Sequence, residues 1–100
     1  MLRYGASGTS IHVDDRTLAH LQVVITTKLR RNEGFLLQWG PSPDSVGGRG
    51  AAWIHPSSDL VYDYGGDQET ALDPAALDTM MSEASGRHGL RITVQENALV

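Results

Sequence analysis

The chain has 100 residues, no cysteine and a net charge of −4. That length suits one domain, residues 1–100, with enough chain to bury a core without staples. The absence of cysteine excludes a disulfide framework, a thiolate nucleophile and a cysteine-ligated metal, and it fits a reducing compartment.

No stretch has the length and apolarity of a membrane span, and the start lacks the basic-then-apolar pattern of a signal peptide. A cytoplasmic protein is therefore expected. The charge is uneven. Residues 1–50 carry six cations against four acids, and residues 51–100 two against eight. An acidic average argues against bulk phosphate binding and leaves room for a local basic patch. Lys28 is the only lysine, so positive charge is nearly all arginine, which favours planar, bidentate contacts.

Leu2–Tyr4 and Ile11–Val13 read as a small hairpin around the turn-rich GASGTS run. Asp14–Arg31 (DDRTLAHLQVVITTKLRR) then reads as the central amphipathic helix. Leu18, Leu21, Ile25 and Leu29 form its stripe, and Ala19, Val23 and Val24 widen it. Asp14 or Asp15 is the expected N-cap. Lys28, Arg30 and Arg31 meet the negative end of the helix dipole, and Asn32 or Gly34 supplies the left-handed stop.

Phe35–Trp39 alternates as a strand with two apolar faces. Gly40–Gly50 (GPSPDSVGGRG) is a breaker-rich loop. Ala51–His55 and Leu60–Tyr64 are strands joined by the Pro56–Asp59 turn, so Phe35–Tyr64 reads as a three-stranded antiparallel meander. Asp73 caps a second helix with Pro74 at its first position, and Leu72 and Leu77 stand where a hydrophobic staple would. Leu77, Met80, Met81 and Ala84 form its buried stripe, and Gly86 and Gly89 end it. Leu90–Val94 is a last strand, with Arg91 and Thr93 facing out. Residues 95–100 read as a frayed tail.

The order is β-β-α-β-β-β-α-β. It predicts an α+β fold: a single mostly antiparallel sheet with two helices packed on one face. Trp39, Trp53, Tyr62 and Tyr64 are expected mainly as core. Any that are exposed would mark a binding or dimerisation face.

Little in the residues spells chemistry. His12, His20, His55 and His88 show no metal-ligand spacing, so no metal is expected, and no cofactor motif is present. His55-Pro56-Ser57-Ser58-Asp59 holds the residue types of a hydrolytic triad, but one tight turn rarely gives triad geometry. Turn formation explains it better. His55 and Ser57 are kept as a surface-site candidate. The GGRG run at Gly47–Gly50 lacks the Gly-x-x-x-x-Gly-Lys-Ser/Thr pattern of a phosphate loop. Arg16, Lys28, Arg30, Arg31 and Arg49 are the candidate contacts to nucleic acid or another anionic partner.

The runs DDRTLAHLQVVITTKLRRNEGFLLQW, GRGAAWIHPSSDLVYDY and LDPAALDTMMSEASGRHGLRI, which cover nearly the whole chain, resemble a family of short actinobacterial proteins of unknown function. The most specific parts are the helix start DRTLAHL, the exit KLRRNE into FLLQW, and the WIHPS turn. Members are often labelled ATP-dependent DNA ligases. A ligase of that type needs a lysine in a Lys-x-Asp-Gly setting, whereas Lys28 is followed by Leu-Arg-Arg. The chain departs from the family at LDPAALDTMM, where a more tryptophan-containing start is usual, and the family supplies no catalytic residues.

Three functions are consistent with these residues. The favoured one is a small non-catalytic interaction or regulatory module that binds a protein partner or itself as a homodimer. The alternative is a nucleic-acid-associated accessory that uses the basic end of the first helix. The third is an enzyme with a site near His55.

Overall fold

The computed structural model describes residues 1–5, 8–41, 49–66 and 69–94. Its elements are β1 (Leu2–Tyr4), β2 (Thr9–Ile11), α1 (Asp15–Arg30), β3 (Phe35–Pro41), β4 (Gly50–Ile54), β5 (Leu60–Tyr62), α2 (Pro74–Ala84) and β6 (Leu90–Val94). The α+β class and the order of elements are those expected. Most of the predicted Gly40–Gly50 loop, Gly47 and Gly48 of the GGRG run, and the predicted tail at 95–100 lie outside the described residues.

The strands divide into two three-stranded sheets rather than one, in the orders β2-β1-β5 and β4-β3-β6. Three pairings are antiparallel, and β3 pairs with β6 in parallel. The β1–β2 hairpin forms with Leu2 opposite Ile11. The expected meander does not form. β4 pairs with β3, but β5 crosses to β1, with Leu2 opposite Tyr62. The turn after β4 therefore hands the chain from one sheet to the other. Tyr4 on β1 joins the sheets, its hydroxyl donating to the Trp53 carbonyl at 2.7 Å.

One core draws on both sheets and both helices. It contains Leu2, Ile11, Leu18, Leu21, Val24, Ile25, Phe35, Leu37, Ile54 and Leu90, all at or near zero exposure. On α1 the buried stripe is Leu18, Leu21, Val24 and Ile25. It continues into Lys28, while Leu29 is only half-buried. On α2 the stripe has the expected spacing, but only Ala84 is fully buried; Leu77, Met80 and Met81 pack partly against the core. Leu72 is largely exposed, so a staple with Leu77 would bury little.

The ends of α1 show what local signals can and cannot do. Asp14 is the N-cap, but its side chain makes no capping hydrogen bond. The Asp15 carboxylate instead accepts the backbone N–H groups of Gly65 and Gly66, at 2.9 and 2.8 Å, and ties the loop after β5 to the helix start. These two donors, Gly65 first, hold its carboxyl below the usual carboxylate range. At the other end Asn32 takes φ 59°. The Asn32 N–H donates to the Leu29 carbonyl and the Glu33 N–H to the Lys28 carbonyl, so the helix closes in a Schellman turn. At α2, Asp73 caps as expected, accepting from the Ala75 N–H at 3.1 Å.

Candidate interaction surface

The β4-β3-β6 sheet has one face turned to the core and one with no helix over it among the described residues. Its core face carries Phe35, Leu37 and Trp39 on β3, Ala52 and Ile54 on β4, and Leu90 and Ile92 on β6. Strand alternation then puts Leu36, Gln38, Ala51, Trp53, Arg91 and Thr93 on the opposite face. Trp53 is 57% exposed there, the highest value among the exposed large apolar side chains. Such a side chain on an open sheet face stands out because burying it elsewhere would contribute roughly 1.5–3 kcal/mol.

The backbone around Trp53 is held from two sides. The Tyr4 hydroxyl fixes its carbonyl. Its indole lies over Gly34, where an added Cβ would meet ring atoms at 3.0 and 3.1 Å. The ring therefore rests on bare backbone at the entry to β3. The other aromatics behave differently. Trp39, Tyr62 and Tyr64 are half-buried against the core. Burial pushes the Tyr62 phenol up to about 12, with the neighbouring Tyr64 adding to the shift. Of the four aromatics in question, three pack against the core and Trp53 is exposed.

The five basic candidates do not form one patch. Lys28 is 5% exposed. Its ammonium pairs with Glu33 Oε1 at 3.0 Å and donates to Ser85 Oγ at 3.1 Å. It is committed to the joint between α1 and α2, which excludes it as a surface contact. Arg16 pairs with Asp73 at 3.6 Å. Arg16 and Arg30 lie near opposite ends of α1, roughly 21 Å apart at 1.5 Å per residue. Arg30 and Arg31 are exposed at the helix exit, and Arg49 is exposed beside β4.

His55 and Ser57 make a turn. The Ser57 N–H donates to His55 Nδ1 at 3.2 Å, the His55 N–H to Ser58 Oγ at 3.0 Å, and the Ser58 N–H to the His55 carbonyl at 2.8 Å. These three bonds close the corner between β4 and β5. His20, one of the four scattered histidines, is 2% exposed. The Arg16 carbonyl 2.7 Å from Nδ1 can only accept, so Nδ1 carries the proton. Nε2 then accepts the Asp73 N–H at 2.9 Å. A neutral imidazole thus links α1 to the cap of α2. Among the described residues no group of three metal-ligating side chains is placed to hold an ion.

Two depressions border these elements. The larger, about 740 Å³, runs along α1 and is lined by Ala19, Val23, Thr26, Arg30, Tyr64 and Leu72 among others. The second, about 600 Å³, lies at the end of the β4-β3-β6 sheet and is lined by both Arg49 and Arg91. The sequence pattern marks Arg91 only as an outward strand residue. Its convergence with Arg49 depends on the parallel β3–β6 pairing, which no local pattern announces.

Residues 1–95 match the model of a domain of unknown function, DUF7882. The chain belongs to that family. Comparison with curated proteins and with solved structures gives no significant match. Family membership thus covers both sheets, both helices and the Trp53 face, and it assigns no activity to any of them. No helix among the described residues is long and apolar enough to cross a membrane.

Proposed function

We propose that the protein is a non-catalytic interaction module, and that its contact surface is the helix-free face of the β4-β3-β6 sheet centred on Trp53. The exposure of Trp53 on a face whose backbone is otherwise well held carries this reading. Tryptophan is among the residues that dominate binding energy when a partner covers them, and a ring already seated on Gly34 loses little freedom on binding. Several side chains that hinted at catalysis or at nucleic acid are already engaged: the His55 ring accepts the Ser57 backbone N–H, Lys28 is buried in an ion pair, and Arg16 is paired.

Ligase activity, suggested by the label that the resemblance brings, is no part of this reading. The only lysine is Lys28, which lacks the Lys-x-Asp-Gly setting and is enclosed by Glu33 and Ser85. We take the compartment to be the cytoplasm, on the cysteine-free sequence.

The test is a photo-crosslinking amino acid placed at position 53 in producing cells, beside the same probe at position 61. Val61 is 48% exposed on the outer face of the other sheet, so it controls for exposure alone. A discrete protein adduct at 53 that is absent at 61 is expected. Equal adducts at both positions, or none at 53, would remove the reading.

A further inference from the structure

The contact face has a charge pattern as well as an apolar spot. Register places Trp53 opposite Leu36, and Ala51 opposite Gln38, which stands opposite Arg91 on its other side. Arg49 continues the alternation of Trp53 and Ala51 along β4. Arg49 and Arg91 border the same 600 Å³ depression, together with Gln38 and Thr93. Neither guanidinium has an acidic partner among the described residues. No described residue on this face is an acid, although the chain carries −4.

We infer that the face takes an extended acidic segment of a partner protein. One apolar side chain of that segment covers Trp53 and Leu36, and carboxylates two and four residues further along reach Arg91 and Arg49. The inference rests on the reading of this face as the contact surface. An extended chain presents every second side chain to one side, in step with the line of Trp53, Ala51 and Arg49. Arginine binds carboxylate through paired N–H groups, and such contacts set register and specificity.

Two other occupants fit less well. A second copy packed through the same face would bring no described acid to Arg49 and Arg91, so their charges would stay unanswered. A single-stranded nucleic acid would find one stacking platform, Trp53, where such proteins usually string several along a basic groove.

The test follows the Trp53 indole N–H by NMR in ¹⁵N-labelled protein, its resonance assigned with Trp53→Phe. The probes are acetyl-Phe-Thr-Glu-Thr-Glu-amide, the reversed sequence, the glutamine counterparts of both, and a ten-nucleotide oligothymidylate. One glutamate peptide should shift the resonance with roughly tenfold higher affinity than its glutamine counterpart. That preference should vanish in Arg49→Ala/Arg91→Ala and persist in Arg30→Ala/Arg31→Ala, which removes the same charge elsewhere. Equal binding of glutamate and glutamine peptides overturns the acidic partner and leaves the contact surface standing. Tighter binding of the oligonucleotide, a preference that survives the Arg49/Arg91 variant, or a concentration-dependent shift without peptide also overturns it. So does silence with every probe, and the adduct at position 53 then tells whether the contact surface falls as well.

Discussion

Replacing Gly89 by alanine should damage the fold far more than the same change at Gly8, although the two glycines have nearly the same backbone, φ 73° and 75°. An L side chain in that region costs about 1–2 kcal/mol. Alanine also restricts the unfolded chain, which offsets about 0.4–1 kcal/mol. At Gly8 nothing among the described residues lies within 4 Å of an added Cβ, so the backbone cost stands alone and the net loss is about 1 kcal/mol or less. At Gly89 the Cβ would run into the Leu36 carbonyl oxygen and lie 2.8 Å from the Leu36 Cβ. Leu36 sits in the central strand between β4 and β6 and cannot swing aside, so β6 must draw back from its parallel pairing. Overpacking of this kind costs about 1–3 kcal/mol, which brings the total to roughly 2–4 kcal/mol. At about 4–8 °C per kcal/mol, Gly8→Ala should lower Tm by a few degrees and Gly89→Ala by something on the order of 10–25 °C. Urea and thermal unfolding followed by circular dichroism read both. Equal losses at the two positions would refute the reasoning, because the close approach of the β6 entry to β3 is the only difference invoked.

Three further outcomes are expected. Glu33→Ala leaves the Lys28 ammonium buried without its counter-charge and should cost about 1–3 kcal/mol. Lys28→Met should stay within about 1 kcal/mol of the parent, and the double variant should resemble Lys28→Met in urea unfolding. The Asp15 carboxyl ionises at lower pH in the folded chain than its ordinary 3.8, so its contribution is present above that pH and is lost as pH falls through the lowered value. Asp15→Asn should flatten the acid limb of the stability curve and speed amide exchange at Gly65 and Gly66. The Tyr62 phenol is raised from 10.0 to about 12, so the folded chain keeps a proton that the unfolded chain releases. Stability from this group is complete below pH 10 and is lost as pH rises through about 12. Tyr62→Phe should remove that alkaline loss, and the phenolate absorbance should lose its latest step.

Much of the architecture was legible because its causes are short-range. Asp73 followed by Pro74 marks a helix start in any context, and Asn32 after Arg31 marks a stop. Each of the six described strands was announced to within a few residues, although β2 takes Thr9 and Ser10, where a turn is expected, and leaves out His12 and Val13. The candidate site was far less legible. Alternation at Ala51–His55 separates two sets of side chains but does not say which set is inside. Trp53 faces outward because Ala52 and Ile54 pack on the core opposite Leu37 and Phe35. Lys28 reads as a solvated cation at a helix end. Its burial follows from two things remote from its own turn: Ser85 on α2, and the Schellman turn that folds Glu33 back over it.

What the sequence determined alone is therefore the inventory of helices and strands, their order and the α+β class. Hydrogen bonds four residues apart and the two periodicities are local, and neighbouring side chains decide them. What only the tertiary structure decided is pairing. Every strand edge offers the same N–H and C=O groups, so the turn at Pro56–Asp59 was as compatible with a β4–β5 hairpin as with the crossover to β1 that occurs. The choice depended on where Leu60 and Tyr62 could be covered. The same long-range packing set Asp15 to hold a loop fifty residues away, and it brought Arg49 and Arg91 to one depression.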